Sequence, residues 1–123
     1  MIDHVSVYVS DTTKSRDFYK AALAPLGYEV VMEFPHAVGL GIAGKPDLWL
    51  IAGGARTGGQ HVAIRAKGRK EVRAFHEAAL AAGAKDNGPP GVRAMYHPNY
   101  FGAFVLDLDG NNLETVCHEP YIE

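Results

Sequence analysis

The chain has one cysteine, Cys117, in 123 residues, so no intrachain disulfide can staple it. At this length a hydrophobic core suffices without disulfide or metal support. Positive charge is not in surplus: 12 Lys and Arg stand against 14 Asp and Glu, a formal net charge of -2. No basic field therefore draws the chain to nucleic acid or to an anionic membrane. No apolar run approaches the roughly 18 residues of a membrane span. The opening "MIDHVSVYVSD" lacks the basic region and long apolar core of an export signal. A soluble protein in a reducing, cytoplasmic setting is expected, with small molecules as partners rather than nucleic acid or membrane. The glycine-rich "GGARTGGQ" lacks the lysine and hydroxyl that a phosphate loop needs.

What the chain does have is a repeat. "HVSVYVSDTTKSRDFYKAALA" from His4 and "HVAIRAKGRKEVRAFHEAALA" from His61 align without a gap at an offset of 57. His4 falls on His61, Val5 on Val62, Arg16 on Arg73 and Phe18 on Phe75, and both copies end in Ala-Ala-Leu-Ala. A shared histidine, arginine and phenylalanine in one register mark an internal duplication.

Each copy opens with period-two alternation. Val5, Val7 and Val9 give one face of a strand and His4, Ser6 and Tyr8 the other; Val62, Ile64 and Ala66 repeat the pattern against His61, Ala63 and Arg65. Apolar residues then recur at helical spacing, predicting helices over about 13–24 and 69–82. Asp11 and Thr12 offer N-cap oxygens to the first. Three strands follow in copy one, around 28–34, 37–44 and 47–53, separated by turn residues. In copy two "DNGPPGVRAMYHPNY" reads as an irregular excursion, before strands in "FGAFVLDLD" and "NNLETVCHE". "DLDGNNL" reads as a tight hairpin turn rather than a calcium loop.

The expectation is an α+β fold of two paired βαβββ modules, a curved and mostly antiparallel sheet around a cavity with the helices outside. One domain covers 1–123, with module one at about 1–53, a connector at 53–60 and module two at about 60–119.

The two histidines open equivalent strands on the polar face. Aligning "KPDLWLI" with "GNNLETV" sets Leu48 against Leu113 and Trp49 against Glu114, so one copy carries a carboxylate where the other carries an indole. Two histidines and a glutamate can hold a divalent ion with positions left open. Imidazole suits Fe, Zn, Ni and Mn, and the residue types leave the identity open. Glu114 on a mostly apolar strand also needs a partner of some kind.

These features resemble the vicinal oxygen chelate superfamily, which includes glyoxalase I, extradiol dioxygenases and the fosfomycin and bleomycin resistance proteins. The carriers are "DHVSVYVSD...SRDFYKAAL", "HVAIRA" and "FVLDLDGNNLETV". The resemblance implies a metal held by His4, His61 and Glu114, with substrate oxygens as further ligands. Trp49 stands where glyoxalase I would have a fourth ligand, which points away from that enzyme. The extradiol pattern asks for a further histidine and tyrosine, for which His97, Tyr96 or Tyr100 could stand in. The fosfomycin pattern asks for a basic cluster that "FVLDLDGNNLETVCHEP" does not contain. Dioxygenase, isomerase or lyase chemistry on a small oxygenated substrate is implied. The rival is a metal-free, bleomycin-resistance-like protein that sequesters a small molecule against Trp49 and the tyrosines. Relatives of this size commonly form homodimers.

The offset between the copies grows from 57 at the opening strands to 65 at Glu114, so about eight residues were added, and they fall in the stretch from Arg93 to Phe101. That segment is expected to border the cavity. Arg93, Tyr96 and Phe101, with Trp49, are the candidate substrate contacts; His97 and Tyr100 are the candidate catalytic groups. Cys117 has the opposite strand parity to Glu114 and is expected to pack away from the cavity.

Overall fold

The computed structural model describes residues 1–120. Module one runs β1 (Val5–Tyr8), α1 (Thr12–Leu23) with a single 3-10 turn at Ala24–Leu26, β2 (Glu29–Phe34), β3 (Ala37–Ile42) and β4 (Lys45–Ile51). Module two runs β5 (His61–Arg65), α2 (Arg69–Ala81), β6 (Lys85–Val92), β7 (Phe101–Leu106) and β8 (Asn112–Cys117). Each module builds its own open, mixed, four-stranded sheet, ordered β1-β4-β3-β2 and β5-β8-β7-β6. In each, the first strand is parallel to the last and the other pairings are antiparallel. Among the described residues no helix is long and apolar enough to cross a membrane.

Strand alternation sends one face of each sheet towards the helices. Val7, Leu48 and Leu50 of the first sheet and Ala103, Val105 and Leu113 of the second are all buried there. Phe18, Tyr19, Ala22 and Leu23 of α1 and Val72, Phe75 and Ala79 of α2 complete this core. The helices also pack on each other. Asp11 caps α1 by accepting the Lys14 N–H at 3.0 Å, whereas Gly68 offers α2 no side-chain cap.

One part of the excursion is a strand after all. Lys85–Val92 pairs with β7 despite Pro89 and Pro90. It lies at the edge of its sheet, where proline's missing N–H is tolerated, and its register shifts twice, around Gly88. The alternating pattern is lost in these bulges, which is why periodicity misses it. The irregular segment proper is the eight-residue link 93–100, against two residues, 35–36, between β2 and β3.

The modules are tied through the β7–β8 turn, where Gly110 takes φ +84°. Asp107 is buried and its Oδ2 accepts from the Tyr19 hydroxyl at 2.5 Å and from Asn111 Nδ2 at 2.9 Å. Its Oδ1 accepts the backbone N–H groups of Asp109 and Asn111. Asn111 in turn donates to the Tyr8 carbonyl and accepts the Gln60 N–H, and Gln60 bonds the backbone of Ser6 and Tyr8. The connector is therefore anchored to β1 at its end rather than acting as a free tether.

Replacing Asp107 by alanine strands a buried hydroxyl and amide and should cost on the order of 3 kcal/mol, read from urea denaturation. Burial first, then the Asp107 carboxylate, raises the Tyr19 pKa well above its ordinary 10.0. Because the folded value exceeds the unfolded one, this contribution is complete below about pH 10 and lost as pH rises beyond it. Urea midpoints should fall above about pH 10, and less steeply in Tyr19→Phe.

Candidate functional site

On the face turned away from the helices, Ala63, Glu114, Phe104 and Gly88 form one row across the second sheet, each the cross-strand partner of the next. His61 is two residues from Ala63 and shares its face. Its Nε2 lies 2.8 Å from Glu114 Oε1. Tyr100, just before β7, donates its hydroxyl to Glu114 Oε2. A Cβ on Gly102 would stand 3.2 Å from the Tyr100 ring and 3.4 Å from Glu114 Oε2, so this glycine leaves the space in which the two meet.

The carboxylate is almost wholly buried, with 2% side-chain exposure against 52% for His61. It thus has a partner for each oxygen, which a buried carboxylate requires. Since a carboxylate only accepts, this contact puts a proton on His61 Nε2. Burial, then the Glu114 hydrogen bond, raises the Tyr100 pKa above its usual range, so the phenol remains a donor at physiological pH. His61, Glu114, Tyr100, Tyr96 and Phe104 line a cavity of about 310 Å³.

His4 does not join this cluster within one chain. It shares a strand face with Ser6, the partner of Trp49, but its Nδ1 lies 2.8 Å from Asp3 Oδ1 and its side chain is 54% exposed. His4 and His61 both border a separate groove of about 420 Å³ between residues 2–5 and β5. His61 nevertheless directs Nε2 to Glu114. Among the described residues no three His, Cys, Asp or Glu side chains are placed to hold a metal ion.

The remaining candidates separate by strand parity and by hydrogen bonding. Trp49 lies on the open face of the first sheet, over Gly39 and stacked on Phe34 with centroids 6.3 Å apart. Tyr96 packs against Tyr100 at 4.8 Å and joins the cavity. Phe101 does not: it pairs with buried Cys117 and lies under the Arg69 guanidinium. Phe101, expected at the cavity, is thus placed on the core side, because residues an odd number of steps apart along β7 face opposite ways, and Phe104 is the phenylalanine that lines the cavity. Cys117 packs on the core side, as its parity predicted.

His97 also stands apart. Its Nδ1 accepts the Asn99 N–H at 3.1 Å, so the proton of the neutral ring is on Nε2, which lies 2.5 Å from His118 Nδ1. His118 is left with its proton on Nε2. The rings stack at 4.8 Å, and Tyr100 meets both edge-on. With both nitrogens engaged, His97 positions the loop and supports Tyr100; it has no free lone pair to offer the cavity, so Tyr100 rather than His97 is the group that reaches Glu114.

An α+β protein of two βαβββ modules, whose exposed sheet face carries a buried carboxylate between an imidazole and a phenol, has the make-up of a small-molecule site. The family model of the Glyoxalase/Bleomycin resistance protein/Dioxygenase superfamily matches residues 1–115, and the chain belongs to that superfamily. It is similar to the structure of a glyoxalase/bleomycin resistance protein from Albidiferax ferrireducens T118, at 25% identity and a TM-score of 0.82, covering 96% of this chain and 98% of that one. Two further structures share the fold. A glyoxalase/bleomycin resistance protein/dioxygenase family enzyme from Burkholderia phytofirmans PsJN is 17% identical with a TM-score of 0.75, covering 96% and 98% of the two chains. Lactoylglutathione lyase from Agrobacterium tumefaciens is 18% identical with a TM-score of 0.71, covering 95% and 92%. No curated protein matches the sequence.

Long-range proton–nitrogen spectra near neutral pH should show His97 protonated on Nε2 with a bare Nδ1. The Nδ1–H form would break the Asn99 contact and refute the assignment.

Proposed function

We propose that the protein is a glyoxalase- or dioxygenase-like metalloprotein that binds a small oxygenated organic molecule over the His61–Glu114–Tyr100 cluster. The carrying observation is the 2.8 Å approach of His61 Nε2 to Glu114 Oε1 at the floor of a cavity. Two neighbouring ligands of one ion, at bonds near 2.1 Å, stand roughly 3.0–3.4 Å apart. The pair therefore fits a divalent ion with little movement once the His61 proton sits on Nδ1 and leaves the Nε2 lone pair free, and Fe, Mn, Zn and Ni all suit such donors.

The third ligand would be His4. Within one chain it lies on the other sheet, so the reading requires a homodimer in which His4 of a second copy meets His61 and Glu114 of the first. The two open faces support this, because Met32 and Phe34 on one and Met95 and Tyr96 on the other are exposed apolar groups. When bound, the ion supplies Lewis-acid polarisation of substrate oxygens. The chain's own part is to orient and enclose. Tyr100 holds Glu114 by one oxygen and leaves the other for His61 or the ion, while Tyr96 and Phe104 keep water from the bound molecule. The buried, free Cys117 accords with a reducing, cytoplasmic setting.

A second reading, a metal-free binding protein, is favoured by the full satisfaction of Glu114 without any ion and by the Trp49–Phe34 stack. Metal analysis of protein purified without chelator separates the two. On the first reading, Glu114→Ala and His4→Ala each lose the metal while far-ultraviolet dichroism is retained. Mixing the two variants through mild denaturation should then recover about a quarter of the wild-type metal, since half the dimers are mixed and each mixed dimer holds one intact site. No recovery would place His4 outside the site or inside a single-chain one.

A further inference from the structure

The row across the second sheet continues past Phe104 in an unusual way. Its next member is Gly88, which has no side chain to contribute. The Arg93 guanidinium occupies that place: a Cβ on Gly88 would lie 3.1 Å from Arg93 Nη2, and one on Gly91 would lie 3.1 Å from Nη1. The guanidinium is over the Phe104 ring at 5.4 Å and donates through Nη2 to the Pro89 carbonyl at 2.7 Å. The backbone N–H of Arg93 donates to the Tyr100 carbonyl at 2.7 Å, so the residue is held at both ends. The glycines and prolines of "NGPPGVR" thus form a shelf on which a cation rests.

Among the described residues no carboxylate lies at hydrogen-bond distance from that cation. The carboxylate that feels its charge, Asp86, already accepts from His76 Nε2 and the Gly88 N–H through Oδ1. Among the described residues, Pro89 is the one hydrogen-bond acceptor of the Arg93 side chain. Most of its five donors are left for something else.

We infer that Arg93, which stands beside the cavity across Phe104, extends it as an anion-binding subsite and that its ligands are aryl carboxylates carrying an oxygen opposite the acid group. Glu114, Phe104 and Gly88 lie on successive strands, so the Glu114 carboxylate and the guanidinium stand about two strand spacings apart, on the order of 10 Å. A benzene ring with a carboxylate at one end and a hydroxyl at the other, with a hydrogen bond at each end, spans that interval. The acid pairs with the fork of Arg93. The ring lies along Phe104 beside Tyr96, and the hydroxyl reaches the His61–Glu114–Tyr100 end. This rests on the cavity being the small-molecule site proposed above, and is independent of the metal.

The probes are 4-hydroxybenzoate and its neutral isostere 4-hydroxybenzamide, titrated by calorimetry and by proton NMR into chelator-treated protein. The acid is expected to bind about tenfold or more tightly than the amide, to lose that advantage as salt is raised, and to shift the Tyr96 and Phe104 ring signals. Arg93→Gln should bring the acid down to the affinity of the amide, with the Tyr96 and Phe104 ring shifts caused by the amide retained to show that the cavity is intact. Equal binding of acid and amide to the wild type, or an advantage that persists in Arg93→Gln, overturns the inference. Should Arg93→Gln misfold, the salt series and ring shifts on wild-type protein decide: a salt-independent preference, or shifts outside the cavity, also overturns it. Acid selectivity in protein that never holds metal would sink the metal reading and leave this one standing. Bound metal without acid selectivity would do the reverse.

Discussion

A buried carboxylate at the β7–β8 turn links the two modules. Asp107 belongs to module two, yet it accepts a hydrogen bond from Tyr19 in α1 of module one, and through Asn111 it reaches the Tyr8 carbonyl of β1. The same side chain closes the turn by accepting two backbone N–H groups. Each of those donors would be costly to bury unpaired, so the turn and the module interface form together. Glu114 begins only three residues beyond Asn111. The turn that joins the modules therefore also sets the register of the strand that carries the carboxylate of the site.

With that register set, duplication explains what the two open faces have in common and where they part. Ser6, Trp49, Gly39 and Met32 form a row across the first sheet that corresponds to Ala63, Glu114, Phe104 and Gly88 in the second. Where module one places a large indole beside a glycine and lays one over the other, module two places a carboxylate beside a phenylalanine. The first row is an apolar platform. The second is graded, with acid at one side, ring in the middle and a guanidinium at the edge. One scaffold carries two chemically different faces.

Much of this was legible in the chain. The repeat, the strand faces of β1 and β5, the helices and the equivalence of Trp49 with Glu114 all follow from periods that single residues obey locally. Strand parity also sends Cys117 to the core. What escaped depended on breaks in period or on distant partners. The Pro89–Pro90 pair hid β6 because its pairing survives only as an edge strand with shifted register. Phe101 and Phe104 look alike in composition, and the face each adopts is decided by pairing to β8. Which nitrogen of His97 accepts is decided by its backbone contact with Asn99, which residue type alone does not reveal. That His61 and Glu114 meet while His4 stays on another sheet is a matter of module placement, which no local pattern encodes.

The irregular and inserted residues of module two cluster at the free edge of its sheet, and there is a physical reason for that. An inner strand must satisfy neighbours on both sides, so a bulge or a long insertion would break two ladders. An edge strand answers to one neighbour. Here the edge absorbed two prolines, two register shifts and the eight-residue link 93–100 while β7 and β8 kept an unbroken register. The shifted edge leaves a glycine in the row that ends with it, and the link returns Arg93 to that vacancy while bringing Tyr96 and Tyr100 over the floor. Inner strands of unbroken register hold Glu114 in place, and the permissive edge supplies the cationic and aromatic groups that surround it.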